Sequence, residues 1–260
     1  MDIRYEPLFH IVMLLYPDLA VRMLAQLHPD MRPRALRFII KGEKGESNII
    51  EYDEKTGVTP TDEQIQQATL QFEKSLKMSP MSRGVRFDVY FEDDVAIINF
   101  EMQRKLEKYI DYRLHLSSSM ILAYQTEINA EYKDLKPVYI TFLCIEDPYD
   151  CGMRKYTWNT VCQEAPGLKQ SYAPVWTVYN ASGYKGEVGE DIHDLLEYFR
   201  DPYKYDISKT KNKLIPDLQE AARKAALDRR TREMLTRSEI WLQSIEANAM
   251  LRGEEIGLEK

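Results

Sequence analysis

Asp88 to Gln103 reads DVYFEDDVAIINFEMQ, a β-type run, an acidic turn and a second β-type run. Taken with the residues before it, the pattern is two runs, Arg83–Phe91 and Val95–Gln103, separated by Glu92-Asp93-Asp94. Such a pattern predicts an antiparallel hairpin. On the first run Val85, Phe87, Val89 and Phe91 share one face, and on the second Ile98, Phe100 and Met102 do, because side chains alternate along a strand. If these two apolar sets share the core, the register is fixed to within steps of two residues. Asp88, Asn99, Glu101 and Gln103 then fall together on the opposite face.

The flanking sequence extends this into an α/β pattern. Lys105–Tyr124 carries Leu106, Tyr109, Ile110, Leu116, Met120, Ile121 and Tyr124 at spacings of three and four, which predicts a helix packed on the sheet. Pro137 introduces Val138–Ile145, apolar on both faces. That is the pattern of a central strand reached by a helical crossover. Upstream, residues 5–28 read as two short helices meeting at Tyr16-Pro17-Asp18, and Leu36–Ile40 as a strand. Lys41–Pro60 reads as a polar, exposed excursion, and Thr61 with Gln64 as a capping box leading into a helix over Ile65–Leu76. Downstream, Tyr172–Tyr179 reads as a strand, with Pro174 pointing to an edge or a bulge. Glu187–Phe199 reads as a helix, and Pro216 to about Glu255 as one or two helices outside the main core.

Two carboxylates and a carboxamide converging from adjacent strands suit a hard divalent cation, which takes oxygen ligands. Asp88 and Glu101 would be the ligands of Mg²⁺ or Mn²⁺, with Gln103 orienting a water or a phosphate oxygen. Such an ion lowers the pKa of bound water and polarises phosphorus, as phosphodiester hydrolysis requires. The competing reading of the same face is the solvated side of an ordinary hairpin. Arg113, in line with Leu106, Ile110 and Ser117, is either a partner for Glu101 or a snorkelling surface arginine. His10 and His115 are placed to approach the site from helices, whereas His28 and His193 belong to no constellation. Trp158 and Trp176 suit nucleic-acid stacking and core packing alike.

The stretch Asp88 to Gln103 resembles the core motif of the PD-(D/E)xK nuclease family transposases, also described as recombination-promoting nucleases. In that group an Asp on one strand is followed on the next by E-x-Q, where the wider superfamily has (D/E)-x-K. The resemblance extends to Arg113 on the following helix and to Pro137-Val138-Tyr139-Ile140 at the start of the next strand. Glu6-Pro7-Leu8-Phe9-His10 is similar to the family's D-P-x-F-K opening, with Glu6 at the position of a possible upstream acidic contribution. Arg252-Gly253-Glu254-Glu255-Ile256-Gly257-Leu258-Glu259-Lys260 resembles the start of its C-terminal tail.

The resemblance implies a restriction-endonuclease-like mixed sheet flanked by helices over residues 1–200, with an inserted excursion at 41–80 and a helical C-terminal extension over 201–260. It also implies a Mg²⁺-dependent DNA endonuclease linked to recombination or mobile elements.

Composition bounds the rest. The 260 residues carry a net charge of −7, so any contact with DNA has to be local. The candidate is Ser208–Arg237, where nine basic residues stand against four acidic ones. Lys209, Lys211, Lys213, Arg223, Lys224, Arg229 and Arg230 are the expected backbone contacts, although such a run also suits a plain solvated helical face. Apolar stretches such as Ile11–Leu15 fall far short of the roughly 20 residues a membrane span needs. Met1-Asp2-Ile3-Arg4 lacks a signal peptide's basic lead-in, so a cytoplasmic protein is expected. Cys144, Cys151 and Cys162 have no C-x-x-C spacing and signal no zinc site. Two rival functions stay open: a nuclease fold serving as a DNA-binding or protein-interaction module, and a protein assembling as a homodimer through its C-terminal helices.

Overall fold

A computed structural model describes residues 3–4, 6–28, 36–41, 47–52, 74–76, 85–87, 89–92, 96–106, 108–127, 131–168, 173–229, 231–233 and 236. Helices α1 (Glu6–Leu15) and α2 (Pro17–Leu27) come first. Strands β1 (Leu36–Lys41), β2 (Ser47–Tyr52), β3 (Lys74–Leu76), β4 (Val85–Phe87), β5 (Val89–Glu92) and β6 (Ile97–Gln103) follow. Then come helix α3 (Ile110–Glu127), β7 (Val138–Cys144), β8 (Lys155–Trp158), β9 (Val175–Asn180), α4 (Glu190–Arg200) and α5 (Leu214–Leu227). Seven strands form one mixed sheet in the order β2-β1-β5-β6-β7-β9-β8, and β3 pairs with β4 in a separate ribbon.

The break at Pro17 falls where its sequence puts it, since proline is tolerated at the first position of a helix and not within one. The expected hairpin forms between β5 and β6, with Val89 opposite Phe100 and Phe91 opposite Ile98. By this register the Val89 and Phe91 positions share a face with Phe100 and Ile98, whereas Val85 and Phe87 belong to another strand pair. β6 and β7 run parallel through the crossover helix α3, and β7 is covered on both sides as its residues require.

Two apolar layers sandwich the sheet. On one face Ile98, Phe100, Met102 and Leu143 pack against α1, α2, α4 and α5. Phe9 sits at the centre of this layer, with its ring 5.7 Å from Phe100 and 6.3 Å from Phe199. On the other face Ile97, Ile140, Phe142 and Val178 pack against Ile110, Leu114, Met120 and Ile121 of α3. Buried Ser117 and Ser118 keep that helix surface small where it meets the sheet. At its far end Gln125 accepts from the Lys136 N–H and donates to its carbonyl, clasping α3 to the start of β7.

Several expectations are corrected. The first β-type run is divided: β4 belongs to the separate ribbon, and only β5 pairs with β6. Lys74–Leu76 is a strand and not the end of a helix, because antiparallel pairing with β4 supplies backbone partners that local propensity does not weigh. The rest of that expected helix lies outside the described residues. Within the polar 41–60 excursion, Ser47–Tyr52 is a strand paired along all of β1. β8, with no apolar run to mark it, takes the sheet edge expected of β9, and Pro174 precedes β9, where it removes no ladder bond. α3 buries Ile110 and Leu114, while Leu106, Tyr109 and Leu116 are exposed. Finally, α5 is not outside the core: Leu214, Ile215, Leu218, Ala221, Ala222 and Ala225 are all buried in the α1/α2 layer.

Polar clasps fix this layer. Gln26 and the buried Asn212 exchange amide hydrogen bonds of 2.9 and 3.0 Å, and Arg22 reaches Asp217 at 2.7 Å. At the end of α2, His28 Nε2 meets Thr141 Oγ1 at 2.7 Å, while Tyr179 donates its hydroxyl to the Leu27 carbonyl. Burial, with the Lys155 cation adding to it, holds the His28 imidazole down to about 4. The unfolded chain therefore takes up a proton near pH 6.5 that the folded chain refuses until about pH 4. Wild-type stability is fully present above pH 6.5 and falls as pH drops towards 4, by up to about 3 kcal/mol for this group. Urea unfolding of wild type and His28→Gln at pH 7 and pH 4 checks this: wild type should lose more stability than the variant over that interval.

Candidate active site

β6 is buried on both faces, so the face carrying Asn99, Glu101 and Gln103 is not the solvated side of a hairpin. It turns towards α3. Glu101, only 1% exposed, lies beside Phe142 of β7 in the parallel register. A carboxylate in such a place requires compensation. Arg113 supplies it from the first turn of α3, donating Nη2 to Glu101 Oε2 and Nη1 to Gln103 Oε1. Its guanidinium also lies 4.9 Å from the Phe142 ring centroid. Asn99 Nδ2 donates to Glu101 Oε1 at 2.9 Å, and Gln103 Nε2 donates to the Lys105 carbonyl at 2.9 Å. Of the two readings of Arg113, the structure chooses the partner of Glu101.

The site lies where β6 and β7 end. Cys144, the last residue of β7, is buried, and burial pushes its thiol up to about 12 against the opposing pull of Arg113. A thiol so held stays protonated and is no nucleophile at neutral pH. Beyond it, Asp147 closes the β7–β8 loop by accepting from the Tyr149 and Gly152 N–H groups and from the Tyr156 hydroxyl. The Tyr149 hydroxyl donates to Asp111 of α3 at 2.7 Å. Burial, reinforced by that bond, raises the Tyr149 phenol well above its usual range. Burial and the bond to Asp147 push Tyr156 up to about 12. Sequence reading missed this network. Its signal is the Asp147-Pro148 turn directly after an apolar strand, which marks a loop anchored at a strand's carboxyl end.

The other candidates are placed as follows. Asp88 lies outside the described residues, and Glu6 opens α1, with its side chain and that of His10 outside them as well. His115 packs its ring 4.2 Å from Trp176, and His28 is used in the opposite layer. Trp158 and Trp176 pack against the α3-side core. Among the described residues, the basic stretch does not reach the site. α5 packs on the opposite face of the sheet from Glu101, and most of the cations there are matched locally. Lys209 pairs with Asp206, Lys211 with Glu190, Arg223 and Lys224 with Glu220, and Arg229 with Glu233. Lys213 is exposed, and Arg230 lies outside the described residues.

The donors at Glu101 fit a hard divalent cation in kind. They are oxygens, and the buried Asn99 Oδ1 has no hydrogen-bond partner among the described residues. In number they fall short by themselves: no three His, Cys, Asp or Glu side chains gather into a metal-binding group among the described residues. A cation held here would need a second carboxylate beside Glu101. No helix among the described residues is long and apolar enough to cross a membrane.

No family model, no curated protein and no solved structure matches the chain.

Removing one partner of a buried pair costs about 3–5 kcal/mol, mostly by stranding the other charge. Arg113→Met should therefore destabilise strongly, and Glu101→Gln added to it should recover much of the loss. A double-mutant cycle in urea measures the coupling, which should exceed about 1 kcal/mol.

Proposed function

We propose that the chain is a metal-dependent DNA endonuclease with a restriction-endonuclease-like architecture, related in kind to the nuclease-family transposases its sequence resembles. The observation that carries this reading is the carboxylate of Glu101, buried in the middle of a mixed sheet, with Gln103 on the same strand face and Arg113 descending from the crossover helix. A carboxylate is expensive to maintain there, and a structural role alone is served as well by an apolar residue.

In this mechanism Asp88 and Glu101 would hold Mg²⁺ or Mn²⁺. Bound there, the ion supplies charge neutralisation at the phosphorus and a more acidic coordinated water. Glu101 has the Arg113 cation and the Asn99 N–H as partners for its two oxygens. Gln103 spends one N–H on the Lys105 carbonyl, and the second is the group that orients the attacking water. Arg113, 35% exposed, shows part of its guanidinium to an incoming phosphate. The exposed cations between Lys209 and Arg229 act at longer range, adding to the attraction of DNA without touching the scissile bond.

A second reading has its own observation. Asn99 and Arg113 already occupy both oxygens of Glu101, which suits a nuclease fold that has kept the pair for stability and binds DNA or protein without cutting.

Nicking of supercoiled plasmid separates the two. With Mg²⁺ or Mn²⁺, wild type should nick, while Asp88→Asn of unchanged melting temperature and Glu101→Gln, assayed below its own melting temperature, should not. Failure of wild type to nick, with no Asp88-dependent thermal stabilisation by either ion, selects the binding module. Equal nicking by all three rejects the assigned ligands.

A further inference from the structure

Four of the large apolar side chains exposed among the described residues cluster on one short segment beside Gln103: Leu106, Tyr109, Tyr112 and Leu116. Tyr109 is 55% exposed and Tyr112 is 73% exposed, so neither contributes its ring to the core. The two rings meet edge to face at 5.8 Å, and Lys108 Nζ lies 5.7 Å from the Tyr109 centroid. The Arg113 N–H bonds the Tyr109 carbonyl, so Tyr109, Tyr112 and Leu116 are presented on one helical face.

Arg104, Lys105 and Lys108 are exposed on the same segment. Besides Arg113, which pairs with Glu101, residues 104–116 carry three basic and two acidic side chains, a local excess of positive charge in a chain of net charge −7. The segment is also tied directly to the site. The Lys105 carbonyl accepts from Gln103, and Arg113 bonds both Gln103 and Glu101.

We infer that residues 104–116 are a platform for an unpaired DNA strand, with bases stacking on Tyr109 and Tyr112 and phosphates meeting Arg104, Lys105 and Lys108. The inference deepens the nuclease reading and rests on it for the choice of nucleic acid. Two features select this occupant. Exposed aromatic rings alternating with cations match the alternation of base and phosphate, and a tyrosine ring can stack only on a base face that neighbouring bases leave uncovered; duplex stacking covers those faces, and an unpaired strand need not. The positive excess opposes docking of a second copy of this acidic chain's own segment, which would bring like charges together. The platform delivers the strand to Glu101 and Gln103, whereas the basic residues of α5 lie across the sheet.

The test is binding of a fluorescent oligothymidylate of roughly 12 nucleotides, single-stranded or annealed to oligodeoxyadenylate, followed by anisotropy in EDTA so that neither metal nor cleavage enters. Wild type should bind the single strand more tightly than the duplex. The Tyr109→Ala/Tyr112→Ala double variant should lose about tenfold or more on the single strand while keeping its melting temperature, since stacking is worth about 1–3 kcal/mol per base. Lys108→Ala should weaken binding and lessen its dependence on salt. Unchanged affinity in the tyrosine variant, a preference for duplex, or no binding by wild type overturns the platform. So does a dimer in light scattering that the tyrosine variant abolishes, which would make a second copy the occupant. Asp88-dependent nicking by a protein whose tyrosine variant binds normally overturns the platform and leaves the nuclease. Tyrosine-dependent binding without nicking leaves the platform and rejects the nuclease.

Discussion

A carboxylate buried between a sheet and a helix loses its hydration and has to find equivalent partners within the fold. Glu101 does so with the Arg113 guanidinium and the Asn99 amide, and much of the neighbouring structure follows. Because Arg113 must reach β6, α3 begins at Ile110 with that side facing the sheet, and Tyr109, Tyr112 and Leu116 are turned to solvent. Because the guanidinium also takes Gln103 Oε1, the last residue of β6 is held in line with its carboxylate neighbour. The ion pair acts with the apolar stripe Ile110, Leu114, Met120 and Ile121 in the rotation of the crossover helix, and it aligns the polar strand end. It also decides which aromatic side chains are left outside.

The two faces of the sheet divide the labour. On the α1/α2 side, large apolar residues and amide clasps build a layer in which Gln26, Asn212 and the neutral His28 find their partners within the fold. On the α3 side, carboxylate, carboxamide, guanidinium and phenol groups run in a connected series from Asn99 through Arg113, and from Asp111 to Tyr149. The chemistry gathers where the parallel strands end, the place where α/β sheets open a crevice between their loops. α5 strengthens the first layer, which is why its basic surface lies away from the second.

Much of this was legible in the residues alone. Alternation along Val89–Phe91 and Ile98–Met102 limited the β5–β6 register to steps of two residues, because a one-residue slip would turn every apolar side chain to the wrong face. The two-sided apolar run Val138–Cys144 determined a covered central strand, and Pro17 the break between α1 and α2. The sharing of one face by Asn99, Glu101 and Gln103 follows from the same period of two. What the sequence left open was decided by partners distant along the chain. Lys74–Leu76 is a strand because β4 lies beside it, and α5 is core because α1 and α2 offer it an apolar surface. Arg113 is the partner of a buried carboxylate and not a free-standing surface arginine because packing brought Glu101, itself cut off from water, within its reach. Local sequence carries periodicity and steric limits, whereas burial and charge pairing depend on which distant segments come to lie against one another.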